Sequence, residues 1–188
     1  MSKNPVILAG ICLFLILSLS RQGVAQQQFG HDYHYHLMDI GLGMGMDYGG
    51  LVGAKLAFYM PFRQISVFGA GGLQLFGIGW NVGTTFRLLS MKKSRTFRPN
   101  IKIMYGINRS TYVDGASEYN AMFTGWTPGI GAEFRFGKKR ASGFDVDLNV
   151  PIGSDKFKNQ INMIESDPQV GTMIQMPVAI SIGYHREF

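Results

Sequence analysis

The chain is poor in cysteine, in charge and in long apolar runs, and each shortage removes a class of protein. Cys12 is the single cysteine of 188 residues, so neither a disulfide framework nor a cysteine-based zinc site is available. Charged residues make up 16%, against about 25% in an average soluble domain. Disordered chains are charge-rich and aromatic-poor, and with aromatics at 13% that class is excluded too. Beyond Val6–Leu19 no stretch approaches the roughly 18 consecutive apolar residues of a membrane-spanning helix. Glycine, by contrast, is abundant. It fills 25 of 188 positions, close to twice its usual share of about 7%, without the three-residue period of collagen. The length gives one domain as the soft prior.

Residues 1–25 read as a cleaved signal peptide. Lys3 supplies the positive start, Val6–Leu19 the apolar stretch, and Gly23-Val24-Ala25 the small-residue cleavage site. Cys12 lies inside the apolar stretch rather than at its end, which argues against a lipoprotein site. Residues 26–36 follow as a periplasmic N-terminal leader, and 37–188 remain for the folded domain.

From residue 37 onward the chain alternates. Ile40, Leu42 and Met44 are separated by glycines. Ile78, Trp80, Val82 and Phe86 alternate with Gly79, Asn81, Gly83 and Arg87. Phe144, Val146 and Leu148 oppose Asp145, Asp147 and Asn149. Period two is the signature of strands. Eight are expected, at about 37–46, 50–61, 65–76, 78–89, 99–109, 124–137, 143–152 and 175–188. The turn between the third and fourth stays open, near Gly71-Gly72 or near Gly77–Gly79, because Phe68 and Phe76 blur the alternation. Most of these strands are as long as the roughly 9–11 residues that cross a bilayer at a tilt.

A soluble barrel turns its apolar face inward; a membrane barrel turns it to lipid and keeps a polar interior. The polar face here carries Asp39, Lys55, Arg87, Lys102, Glu133, Arg135, Asp145 and Asp147, balanced in sign and crowded with glycines. Eight strands enclose an interior just wide enough for side chains, and charges enclosed there must be paired. Glu133 and Arg135 stand between Lys102 on one neighbouring strand and Asp145 and Asp147 on the other, so pairing among these is expected. On the apolar face Trp80 and Trp126 gather toward one end, and Phe86, Phe134, Phe136, Phe144, Tyr184 and Phe188 toward the other, as two interfacial girdles do. The expected fold is therefore all-β: an eight-stranded antiparallel up-and-down transmembrane β-barrel.

The connectors 61–64, 90–98 and 138–142 hold Arg63, Lys92, Lys93, Arg95, Arg98, Lys138, Lys139 and Arg140 with no acid. The loops 110–123 and 153–174, at the opposite end, are long and richer in acids than in bases. No recognition helix or aromatic–basic platform accompanies the net positive charge, so nucleic acid is not an expected partner.

In this pattern the chain resembles the small outer-membrane barrels of the OmpA/OmpX type, over residues 37–188. The most specific motif is the C-terminus. Such proteins end in an assembly signal, polar–x–Gly–x–x–aromatic–x–aromatic, read by the barrel-insertion machinery; here Ser181, Gly183 and Phe188 fit it and Arg186 departs from it. The resemblance implies a plugged barrel in the outer membrane of a Gram-negative-type bacterium, porin-like in architecture. Fold alone implies no shared activity.

Chemistry-bearing clusters are few. His31, Asp32, His34 and His36 are the one dense group of metal-ligand types and make a weak candidate site; a plain polar leader explains them as well. A lipid A acyltransferase or deacylase needs a His with a nearby Ser. The one histidine after residue 36, His185, has no serine beside it in sequence. No catalytic residue and no cofactor are expected. The expected partners are outer-membrane lipids, the barrel-insertion machinery at the C-terminus, and a protein docking on loops 110–123 and 153–174. The expected role is structural or interactive, with an accessory subunit of a transport or secretion complex, or a lipid A-modifying enzyme, as alternatives.

Overall fold

The structure, a computed structural model, describes residues 36–61, 64–74, 77–89, 96–113, 119–137, 139–166 and 178–188. The signal-peptide assignment, most of the leader with His31, Asp32 and His34, and the connector residues Arg63, Lys92, Lys93, Arg95 and Lys138 lie outside the described residues.

Eight antiparallel strands follow one another around a closed barrel. They are β1 (Met38–Gly45), β2 (Gly50–Tyr59), β3 (Ile65–Gln74), β4 (Gly77–Arg87), β5 (Phe97–Thr111), β6 (Ala121–Phe136), β7 (Ser142–Asn149) and β8 (Ala179–Glu187). The ring is sealed by pairing β1 with β8, from Asp39 opposite Glu187 to Met44 opposite Ile182, so no strand edge is left open. β3 and β4 pair through Gly71↔Trp80 and Gly72↔Gly79 to Gln74↔Gly77. The open choice of turn is thereby decided: Gly71-Gly72 lies within the strand.

The alternation is realised as an inside-out molecule. Outward positions carry the large apolar side chains, among them Leu42, Leu73, Ile78, Val82, Ile130, Leu148 and Ile180, all exposed. Inward positions carry the charges, amides and glycines. The buried apolar cluster inside is small: Ala57, Phe68 and Met104, with Met46 packed against it. Phe68 faces inward there, which is why β3 alternates poorly in the sequence.

Two parts of the fold depart from expectation. β5 and β6 run on to Thr111 and back from Ala121, beyond the ends of the other strands, which narrows the 110–123 loop to 112–120. A bulge between Ile107 and Arg109 in that hairpin turns Asn108 inward. The long loop before β8 contains a helix, α1 (Asp155–Ser166), that buries Phe157, Ile161 and Ile164. These lie at i, i+4 and i+7, one face of a helix.

Candidate functional site

The barrel interior gathers nearly every polar group that could do chemistry, and three ion clusters fill it. At the end shared by the chain terminus, Arg135 reaches Glu187 at 2.6 Å and lies 3.8 Å from Asp39 and 3.9 Å from Glu133. Arg87 pairs with Glu133 at 2.6 Å, and Arg98 with Glu187 at 3.1 Å. Tyr59 donates to Glu187 at 2.6 Å and accepts from Arg87 at 3.1 Å. His185 Nδ1 lies 2.7 Å from Asp39 Oδ2. In the middle, Lys55 pairs with Asp145, and Tyr48 donates its hydroxyl to the same carboxylate at 2.6 Å. Toward the loop end, Lys102 serves Asp147 at 2.7 Å and Asp47 at 3.2 Å. Asn149 donates to Asp47 at 3.3 Å and to Ser181 Oγ at 3.0 Å.

All eight charged residues of the polar face are thus brought together, each with at least one opposite charge. The pairing agrees in part with the expected one, since Lys102 meets Asp147 at 2.7 Å and Arg135 lies 3.9 Å from Glu133, and departs from it in the main partner of Arg135. Arg135 does not pair with Asp145 or Asp147; its nearest carboxylate is Glu187, two strands away. Inside a narrow barrel, side chains meet across the lumen as readily as along the wall, so neighbouring strands do not define partners. Arg98 requires a second correction. It is not a connector residue but an inward side chain of β5, buried between two glutamates. It shares parity with Asn100 and Lys102, the signal that could have placed it. The same parity was available for Tyr59, His185 and Glu187.

Asp47 and Tyr48 carried no such signal. The turn Met46–Tyr48 after β1 is a short 3-10 segment that folds back into the barrel, and both residues are fully buried. A cradle of glycines receives the Tyr48 ring. A Cβ at Gly43 would come within 2.6 Å of it, and one at Gly183 would collide with both ring and hydroxyl. The Lys55 ammonium sits 4.6 Å above the same ring. The glycines of β1, β2 and β8 therefore make room for a tyrosine stopper.

The lumen holds a cavity of about 20 Å³, touched by Lys55, Arg87, Lys102, Glu133, Asp145 and His185. That is room for a water or two, far below the several hundred Å³ of a small-molecule pocket. Among the described residues, no group of three or more His, Cys, Asp or Glu side chains is arranged to hold a metal ion. His36, the one described member of the N-terminal cluster, is half-buried. Ser181 and Gly183 of the C-terminal pattern face the lumen, against Asn149 and Tyr48, while Phe188 is exposed.

Outside, two aromatic bands flank the apolar wall. Trp80, Tyr105 and Trp126 form one, with ring centroids 6.4 and 5.2 Å apart. Phe136, Phe144 and Tyr184 form the other, at 5.4–6.2 Å, with Phe97 on Phe134 nearby. Trp126 lies in the interior of β6, not at its start, because the β5–β6 hairpin continues past the band.

At the loop end, α1 packs on that hairpin. Phe157 meets Phe123 edge-on at 5.4 Å, and Arg109 lies 5.3 Å over the Phe157 ring. Asn108 donates to the Ile152 carbonyl at 3.1 Å, and Arg109 to that of Pro151 at 3.0 Å. The helix before β8 is therefore fastened to the β5–β6 hairpin. In comparisons with known proteins, no family model, no curated protein and no solved structure matches the chain.

Proposed function

We propose that this chain is an integral outer-membrane β-barrel, exported by its N-terminal segment, whose closed lumen serves rigidity and whose long loops engage a protein partner. One observation carries the reading: the apolar residues of all eight strands face outward between two aromatic bands, while the charges are sealed inside. A soluble protein rarely exposes a contiguous apolar patch beyond a few hundred Å². From Trp126, the second band is reached at Phe134 and Phe136. At about 3.3 Å per residue and a tilt near 40°, the bands stand about 20–25 Å apart, close to the apolar height of outer-membrane barrels. The likeness to the OmpA/OmpX type lies in this architecture. No pore function fits, because the stopper and three ion clusters occupy the lumen.

The test is refolding from denaturant into detergent or vesicles. The unheated protein is expected to migrate differently from the heated form on a denaturing gel, and to give no steady conductance in planar bilayers. Folding without detergent into a soluble monomer refutes the membrane reading, and stable open channels refute the sealed lumen.

A further inference from the structure

Arg186 departs from the C-terminal pattern, and the lumen network makes no use of it. It lies on β8 with its side chain outward and exposed, opposite Ser142 of β7. Its contact among the described residues is the ring of Phe188, 5.5 Å from the guanidinium. No carboxylate among them stands within ion-pair distance on the outer wall. Asp39, Glu133 and Glu187, the acids at this end, are all buried inside. Phe136, Phe144 and Tyr184 lie on the same outer face.

Next to Arg186 is the β6–β7 turn, fixed from two sides. Arg135 donates from within to the carbonyls of Arg140 and Ala141, at 2.9 and 3.3 Å. The Glu187 amide donates to the Ala141 carbonyl at 2.8 Å. Lys139, at the tip of this anchored turn, is exposed. Apart from the carboxylate of Phe188 itself, the outward charges described at this end are positive, beside an exposed aromatic band. At the other end, α1 exposes Asp155 and Glu165 as well as Lys156 and Lys158.

We infer that this end of the barrel binds the headgroup of an anionic phospholipid, its phosphate on Arg186 and Lys139 and its acyl chains along Phe136, Phe144 and Tyr184. The inference rests on the membrane reading above. An arginine at the edge of an apolar wall lays its methylenes on that wall and carries its charge to the polar boundary. A guanidinium matches a phosphate with paired donors, and basic residues at a membrane surface favour anionic lipid.

The test uses the refolded full barrel in detergent, with phosphatidylglycerol and phosphatidylcholine as probes and retained lipid read by native mass spectrometry. Preferential retention of phosphatidylglycerol is expected. Arg186→Gln should weaken it about fivefold, as loss of one surface cation does, Arg186→Gln with Lys139→Gln should weaken it further, and Arg186→Lys should keep part of it. Lys156→Gln, at the opposite end, should change nothing.

Equal retention of both lipids, or equal loss from Lys156→Gln, overturns the site. Competition by inorganic phosphate as effective as by the lipid overturns it as a lipid site. The heat-dependent gel shift, run on every sample, separates the cases. A shifted barrel without lipid preference refutes the site alone; a chain that never shifts refutes the membrane reading and the site together.

Discussion

Replacing Arg135 by methionine tests the sealed lumen most directly. The guanidinium is fully buried, 2.6 Å from Glu187, and donates to the carbonyls of Arg140 and Ala141. Methionine keeps the bulk and removes every polar contact. Breaking a buried ion pair by removing one partner costs roughly 3–5 kcal/mol. Glu187 keeps Arg98 at 3.1 Å and the Tyr59 hydroxyl at 2.6 Å, which sets the expected loss at the lower end, about 3 kcal/mol. With a urea dependence of about 1–3 kcal/mol per molar, the unfolding midpoint in lipid vesicles should fall by roughly 1–3 M. Adding Glu187→Gln removes one charge of each sign and should recover at least about 1 kcal/mol of that loss, the coupling expected of residues in contact. Two outcomes refute the reasoning. An Arg135→Met barrel that unfolds at the wild-type midpoint means that the charges face open water, and strictly additive variants mean that the pair is not coupled.

Three further outcomes follow from the packing. Gly183→Ala drives a Cβ into the Tyr48 ring and should cost about 1–3 kcal/mol as overpacking; adding Tyr48→Ala should make that glycine change nearly neutral, read by the same urea midpoints. Lys102→Met leaves Asp47 and Asp147 together without their cation and should destabilise by about 3–5 kcal/mol, whereas Asp147→Asn keeps the Lys102–Asp47 pair and should be far milder. Phe157→Ala removes the ring that joins α1 to Phe123 and Arg109; amide exchange across 155–166 should accelerate while the heat-dependent gel shift of the barrel stays as it was.

The strands and their two faces are legible in the order of residues alone. Side chains alternate strictly along a strand, so Ile78–Arg87 or Phe144–Asn149 declares its polar and apolar sides with no knowledge of the neighbours. The polar side is equally legible as charged, balanced in sign and rich in glycine. Parity extends this to Tyr59, His185 and Glu187 within the expected strands, and to Arg98 once β5 is begun at Phe97. The helical spacing of Phe157, Ile161 and Ile164 is legible in the same way.

The rest depends on how the barrel closes. Which acid meets which base depends on the stagger of eight strands and the width of the lumen, and neither is written in any one strand. That is why Arg135 finds Glu187 rather than its neighbours on β7. The inward turn of Met46–Tyr48 is a property of closure. Only when β8 seals against β1 do Gly41, Gly43 and Gly183 form a cradle for one aromatic ring, and a loop residue has no period from which its direction could be read.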